Sequence, residues 1–498
     1  MKTKSLFIML FFLFVFLLNI LAGIFLVNWL DLVNITQFFL LIFINFGLAY
    51  SLTELVLSLC LRKLDLPKIP TLVNVPAVAL LYLTYNDVMP EVISTLKRQT
   101  YSNYKIFILD DSTAKDKKTI LDKSGYEVIR RESRTGFKAG ALNNWLSLYG
   151  DNYDYFVILD SDSLLPKYFV EEMVKYAEHP KNSTVGIFQS KTEIWNPRSK
   201  FAVNTVVGVP IWMHKLERLA NDCDMLLPWG HNSLFRTGVI KKLGGFETGF
   251  VSEDFATDLK IISNGYGCKL VDLVSYEGTP QTIRSFTKRT IRWSSGALQL
   301  LRQKPDYIKS IPFSTGLYLF WTAYFYLIWL LYIPGMFISV WGHQSNIDDV
   351  IAIFSNSSLF RGTGLVQVTL ILLYIVYFLV FNFAIALKTE TARNFIKSIP
   401  LNAATSFYIM IPLVTAQLKV IFGKKPHFDV TEKSYLKISL FSIFKDMKFN
   451  LLFTGLLLLG TITNPAALVF NWFWFLLFIG SPFIIYFSQS PISQKKQE

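Results

Sequence analysis

The stretch "YDYFVILDSD" (153–162) decides how the rest of the chain is read. It is a short, β-rich apolar run that ends abruptly in two carboxylates. "AVALLYLTY" (77–85), "YKIFILDD" (104–111) and "YEVIRR" (126–131) repeat the design upstream, each closing on polar residues. Between them, "PEVISTLKRQ" (90–99) and "KAGALNNWLSLY" (138–149) read as helices. Strands alternating with helices argue for a mostly parallel α/β sheet with crossover connections. In such sheets ligands sit at the carboxyl ends of the strands. Asp110, Asp111, Asp160 and Asp162 all fall there, so this edge is the expected site.

The 498 residues are 52% hydrophobic and 17% charged, a mixture that suggests membrane spans plus one sizeable aqueous domain. A bilayer core is crossed by about 20 apolar residues. Such stretches occur at 6–29, 36–61, 314–341, 364–387, 449–463 and 466–487, the last two split only by "TNP". The first follows Lys2 and Lys4 without a small-residue cleavage site and is expected to be a retained helix. Six crossings leave both ends on one side. Arg62, Lys63, Lys388, Arg393, Lys397, Lys445, Lys448, Lys495 and Lys496 flank spans on that side, whereas loops 30–35 and 342–363 hold only Arg361. The positive-inside rule then sets residues 62–313 and both termini in the cytoplasm of a multi-pass plasma-membrane protein. Three parts follow. Residues 1–65 are an N-terminal pair of transmembrane helices, 66–310 a cytoplasmic domain with interface helices, and 311–498 a C-terminal transmembrane region.

The net charge of +13 suits an anionic lipid surface or an anionic substrate. Nucleic acid is not expected as a partner, because no basic stripe carries a recognition motif of its own. Cys60, Cys223 and Cys268 are scattered without ligand spacing and read as reduced, buried thiols rather than a zinc site.

Asp160-Ser161-Asp162 offers two hard oxygen ligands just past a strand. Magnesium or manganese is commonly held by one or two carboxylates together with substrate phosphates. Asp-x-Asp is also an ordinary turn or helix-cap pattern, and Asp110-Asp111-Ser112 is equally at home in a turn. The order of motifs carries more. "TYND" (84–87) follows the first strand, "DDS" (110–112) the second and "GFKAGALN" (136–143) the third. Then come "DSD" (160–162), "GHNSLFR" (230–236), "GGFETGFVSEDFATDLKI" (244–261) and "RTIRW" (289–293).

Over about residues 76–310 this run resembles the processive family 2 glycosyltransferases, the group containing cellulose, chitin and hyaluronan synthases. The resemblance implies an α/β GT-A (Rossmann-like) domain, inserted between the transmembrane helices, that binds a UDP-sugar. Asp111, with Asp110, would contact the uridine end beside Thr84 and Asn86. Asp160 and Asp162 would hold the diphosphate and its Mg2+ or Mn2+, and Lys138 of "KAGALN" joins the substrate-binding set. Glu253-Asp254 matches the acidic position called "TED" in cellulose synthases, with Ser252 in place of Thr, and Asp254 would be the general base. Displacement at an anomeric carbon needs those parts: a carboxylate to activate the attacking hydroxyl and cations to neutralise the departing diphosphate. The pair also suits a helix start, where the macrodipole favours acids.

"SFTKRTIRWSSGALQLLRQ" (285–303) sets Phe286, Trp293, Ala297 and Leu300 on one face, as an amphipathic helix on the membrane does. The resemblance sets Trp293 under the terminal acceptor sugar and Arg292 on the pyrophosphate. Here the chain departs from the family, which has Gln where Arg289 stands in the first position of the motif. A second interfacial stretch is expected at 200–219, and His231 beside the acceptor path reads as a packing or hydrogen-bonding residue.

Residues 400–422 look long enough to span. A seventh crossing would strand the charges of "GKKPHFDVTEKSY" (423–435) outside, so a helix along the cytoplasmic interface is expected. "FDVTEK" resembles the gating loop of bacterial cellulose synthases, and would bring Phe428, Thr431 and Lys433 over bound donor. The chain is not expected to carry the C-terminal cyclic di-GMP-binding domain of many cellulose synthases.

The reading is therefore a processive synthase of a β-linked glucan from UDP-glucose, with the growing polysaccharide and the bilayer as partners and room for accessory or regulatory subunits. Alternatives are a non-processive transferase acting on a lipid or short glycan, and a synthase of chitin, hyaluronan or poly-N-acetylglucosamine. A transporter with a regulatory nucleotide domain is disfavoured, since Glu54 is the main charge within the spans. Trp321, Tyr324, Tyr326 and Trp329 in the third span read either as sugar-stacking or as lipid-facing aromatics.

Overall fold

The computed structural model describes residues 3–26, 32–59, 66–207, 216–342, 344, 392–426 and 435–492. A seven-stranded sheet forms the centre of the 66–310 region, built from β1 (Val78–Thr84), β2 (Tyr104–Asp110), β3 (Glu127–Ile129), β4 (Tyr155–Leu159), β5 (Val185–Ile194), β6 (Ser233–Arg236) and β7 (Gly267–Glu277). The order is β3-β2-β1-β4-β6-β5-β7. β1 to β4 pair in parallel, as do β5 and β7, while β6 runs antiparallel to both β4 and β5. This is a GT-A-like mixed α/β sheet.

β1 is buried along its whole length because helices cover both faces of the sheet. Its side chains alternate. Ala79, Leu81 and Leu83 join Phe107, Trp145 and Phe156 on one face, and Val78, Leu80 and Tyr82 join Ile108, Val157 and Phe169 on the other. Each fully buried large apolar side chain contributes roughly 1.5–3 kcal/mol. The first face does not end at the domain, for its core continues into Phe7, Phe11, Tyr50 and Trp321 of the apolar helices.

Register then sets the site. Thr84 lies opposite Asp110, and Tyr82 opposite Leu159, so β1, β2 and β4 stop together. The residues that follow, Asp111 and Asp160, are delivered to one edge.

Among the described residues, two helices are long and apolar enough to cross a membrane, Thr3–Ile20 and Ile396–Ile421. A third counts if Phe313–Ala323 and Tyr326–Ile338, bent by 53°, form one span. Lys448–Gly460 and Phe475–Ser488 are shorter apolar helices, and the expected span at 364–387 lies outside the described residues. The stretch 400–422 belongs to one 30-residue helix, Ala392–Ile421. By length and composition it is a candidate span rather than only an interfacial helix. The expected interfacial stretch 200–219 is two short helices, Lys200–Thr205 and Glu217–Asp222, with 208–215 between them outside the described residues.

Candidate active site

The loop after β1 is tied to its neighbours by two short polar side chains. Asp87 Oδ1 accepts from Thr84 Oγ1 (3.0 Å) and from the Tyr85 N–H (2.8 Å), and its Oδ2 accepts from Ser161 Oγ (2.5 Å). Asn86 takes the left-handed conformation (φ 61°) that short polar residues tolerate. From there its Oδ1 accepts from the N–H groups of Thr113 and Ala114, both at 2.9 Å. Asp110, 3% exposed, accepts from the Ser112 N–H (2.9 Å) and from Arg130 Nε (2.6 Å). Thr84 and Asp111 face a cavity of about 600 Å³. Asn86 and Asp110 do not line it and instead bind the loops of the edge together. Asp111 is itself forked by Arg131, at 2.8 and 2.6 Å, and the Arg134 guanidinium lies 3.5 Å from the centre of the Tyr85 ring.

Asp160 and Asp162 share the next wall. The Asp160 N–H donates to Ser163 Oγ (3.1 Å) and the Trp195 indole donates to the Asp162 carbonyl (2.9 Å), which fixes the turn. Gly278 presses on it so closely that a Cβ there would sit 2.5 Å from Asp162 Oδ2. Lys138 reaches Asp160 Oδ1 at 2.9 Å. Burial disfavours the Lys138 ammonium, but the charges of Asp160, Asp254 and Glu253 outweigh it and raise the pKa. Among the described residues no three His, Cys, Asp or Glu side chains gather into a ready cation cage. Two carboxylates on a wall without a third fit a hard divalent cation that completes its shell with substrate phosphate and water.

Opposite them, Ser252 stands at the N-cap position of the helix Glu253–Ser263 without a side-chain capping bond. Glu253 is 6% exposed, and burial, then the neighbouring Asp254 charge, push its pKa up to about 7. Asp254 Oδ1 accepts from the Phe255 N–H at 2.8 Å, so the helix start orients it. Gly230 closes over it with φ +71°, and a Cβ at 230 would lie 2.3 Å from the Asp254 Cβ. Gly296 of the helix Ile283–Gln303 lets that helix pack on Ser252, 2.2 Å from where its own Cβ would stand.

That packing brings Arg289, Arg292 and Trp293 into the cavity. The Arg289 guanidinium lies 4.8 Å from the centre of Trp293 and 5.6 Å from Phe286. Its pKa is lowered, chiefly by burial. Trp293 keeps 40% of its surface exposed, enough to receive a flat partner. His231 does bond, with Nδ1 3.0 Å from the Trp229 carbonyl and Nε2 2.6 Å from Glu277 Oε2. Burial works against its charged form, yet the hydrogen bond and charge of Glu277 hold its pKa at about 9.

Ten expected residues thus meet in one cavity: Thr84, Asp111, Lys138, Asp160, Asp162, Glu253, Asp254, Arg289, Arg292 and Trp293. Phe428, Thr431 and Lys433 lie outside the described residues, as does the side chain of Tyr324. Sequence reasoning missed Asp87, Glu217, Glu277 and Tyr318, which also line the cavity. Glu277 ends β7 and was open to the rule that found Asp160. Glu217 and Tyr318 carry no local signal.

Residues 155–387 match the family described as "Glycosyl transferase family group 2". Glucans biosynthesis glucosyltransferase H of Rhodopseudomonas palustris (strain TIE-1) is 26% identical over 307 residues, 53% of this chain and 41% of that one. The protein of the same name from Bradyrhizobium diazoefficiens is 26% identical over 352 residues, 61% of this chain and 45% of that one. The chain therefore spans less than half the length of these relatives. Among solved structures, the mannosyltransferase PcManGT from Pyrobaculum calidifontis, in complex with GDP-Man and Mn2+, aligns with a TM-score of 0.48. It is 17% identical and the alignment covers 77% of this chain and 99% of that one. Residues 155–387, a little under half of the chain, are thus similar to a family 2 glycosyltransferase domain.

Proposed function

We propose that the protein is a membrane-embedded, processive glucosyltransferase that builds a β-linked glucan from UDP-glucose and passes it along its own apolar helices. The observation that carries this reading is the single cavity in which Asp160, Asp162, Lys138, Asp254, Arg292 and Trp293 converge. In this reading the uridine end lies toward Thr84 and Asp111, with the diphosphate toward Lys138, Asp160 and Asp162. Mg2+ or Mn2+, held by Asp160 and Asp162, would supply neutralising charge to the diphosphate. Asp254 removes the proton of the acceptor hydroxyl. That oxygen bonds to the anomeric carbon as the bond from this carbon to the β-phosphate oxygen breaks, which inverts the centre. UDP leaves with the electron pair, and Arg292 and Lys138 balance the charge. Trp293 offers the acceptor ring a stacking face.

Glucose and glucan are favoured because the relatives above are named for them. Processivity is favoured because Tyr318, Thr322 and Tyr326 of the helix Phe313–Trp341 extend the cavity wall beyond the carboxylates. A multi-pass arrangement with the catalytic domain in the cytoplasm is favoured by the basic flanks of the apolar stretches. The test incubates the purified full-length chain with UDP-glucose and Mg2+ or Mn2+, then digests the product with linkage-specific hydrolases. Long β-linked glucan is the expected product. Incorporation only from another nucleotide sugar, or products one residue longer than the acceptor, would overturn the donor or the processivity.

A further inference from the structure

A bend of 53° in an apolar helix needs a cause, and the sequence around this one does not supply it. Sharp kinks arise at proline, at glycine or serine pairs, at π-bulges, or where a side chain reaches into the backbone ladder. The helix Phe313–Trp341 turns between its halves Phe313–Ala323 and Tyr326–Ile338 and is α-helical throughout. Residues 320–330, "FWTAYFYLIWL", hold no proline, glycine or serine. Pro334 disturbs the helix around residue 330, one turn beyond the break. What does reach the ladder is Gln417, of the helix Ala392–Ile421. Its Nε2 donates to the Tyr326 carbonyl at 2.8 Å, where the second half begins.

The same amide holds a third helix. Gln417 Nε2 also donates to Ser294 Oγ at 2.8 Å, and Ser294 follows Trp293 on the helix Ile283–Gln303. A second tie, from Arg302 Nη1 to the Val420 carbonyl at 3.2 Å, joins the same two helices. Gln417 and Ser294 are buried and stand behind the cavity wall, whereas Trp293, Thr322 and Tyr326 form it. Gln417 Oε1 is buried without a hydrogen-bond partner. A leucine of similar size would fill the place without that cost, so packing alone does not account for the glutamine. One side chain thus fixes the angle of the wall helix and its distance from Trp293.

We infer that Gln417 is a positioning residue that holds the bend of Phe313–Trp341 against the Trp293 helix and so aligns the path by which a growing product leaves the site. The inference rests on the processive reading and adds the residue that keeps product in place between transfers. The groups proposed to hold the donor, Thr84, Asp111, Asp160 and Asp162, stand at strand ends and not on these helices. Loss of Gln417 therefore acts on product retention and not on donor binding.

The experiment uses the full chain in detergent as wild type, Gln417→Leu and Ser294→Ala, with the nucleotide sugar and cation that the wild type turns over. It reads UDP affinity by calorimetry, the initial rate of UDP release, and product length. In Gln417→Leu, UDP affinity and UDP release should stay within about twofold of wild type. Its products should be about fivefold shorter, the equivalent of about 1 kcal/mol of interhelical hydrogen bonding. Ser294→Ala removes one tie and should shorten products about twofold. A merely structural glutamine would lower the amount of active enzyme, while each folded molecule still made products of wild-type length. If Gln417→Leu fails to bind UDP it has misfolded, and Ser294→Ala decides alone by its own expected change. Wild-type length in the deciding variant, or a loss of UDP release as large as the loss of length, overturns the inference and leaves processive transfer standing. A wild type that transfers no sugar, or only one residue per acceptor, overturns the processive reading and the inference with it.

Discussion

Gly230→Ala tests the geometry of the site with one methyl group. Gly230 has φ +71°, and its backbone lies directly over Asp254. An alanine would pay twice. The left-handed conformation costs an L-residue about 1 kcal/mol. The new Cβ would also stand 2.3 Å from the Asp254 Cβ, where ordinary contact begins at 3.4 Å, so the two must separate by about 1.1 Å. The obstacle is a Cβ, whose position follows the helix backbone, so no side-chain rotation relieves it. A misplacement of about 1 Å costs a catalytic group on the order of 100-fold in rate. Thr84 and Asp111 sit on the far strand ends and are untouched. The expected outcome is kcat down about 100-fold, with UDP affinity within about threefold. Steady-state kinetics and calorimetry on the purified chain measure both. Gly238→Ala is the control, because nothing lies within 4 Å of its Cβ and its backbone is helical. A Gly230→Ala enzyme within twofold of wild type would show that Asp254 is not the group whose placement limits turnover.

Asp254→Asn removes the proposed base while keeping the shape, so transfer should fall by about 10²–10⁴-fold with UDP affinity nearly unchanged; retention of more than a few per cent activity would put the base elsewhere. Asp162→Ala should abolish both turnover and the part of UDP binding that depends on Mg2+ or Mn2+, and unchanged metal-dependent binding would return the Asp160–Asp162 turn to a structural role. Arg289→Gln frees one face of Trp293 and should shorten the product more than it slows UDP-glucose hydrolysis; equal losses would set Arg289 at the nucleotide end. His231 is held protonated by Glu277, its folded pKa of about 9 standing above the ordinary 6.5. A raised imidazole stabilises fully below about pH 6.5, and that contribution is lost as pH rises through 9. Wild type should therefore lose roughly 3 °C more melting temperature than His231→Gln between pH 7.5 and 9.5, measured by thermal scanning at both pH values; parallel curves would refute the pairing.

β2 and β4, which run into acids, were legible because continuous apolar runs stopping at carboxylates say both where a strand lies and which end meets solvent. β5 was not, because polar residues take several of its buried positions beside Ile187 and Phe188. Gln189, Ser190 and Thr192 are buried, and Gln189 Oε1 accepts from the Trp229 N–H (2.9 Å) and Ser233 Oγ (2.6 Å). A strand that exchanges apolar burial for internal hydrogen bonds loses the period-2 signal. β6, four residues long and antiparallel, gave too short a run to read.

At the site the same logic has a definite limit. A polar residue at a strand end can face the ligand or lace the loops, and residue type does not separate the two. Asp110 and Asp111 are adjacent in sequence, yet Asp110 closes on Ser112 and Arg130 while Asp111 turns to the cavity. What decides is the pleat: successive side chains leave a strand on opposite faces, and only the parallel register with β1 fixes which face looks into the cleft. Glu217 lies beyond even that rule. Its place is set by a helix packed under the apolar helices, through contacts 101 residues apart with Tyr318. The part of the cavity walled by Thr84, Asp111 and Asp160 is thus a property of strand ends and can be read locally, whereas the part walled by Glu217 and Tyr318 is a property of how the apolar helices meet the sheet.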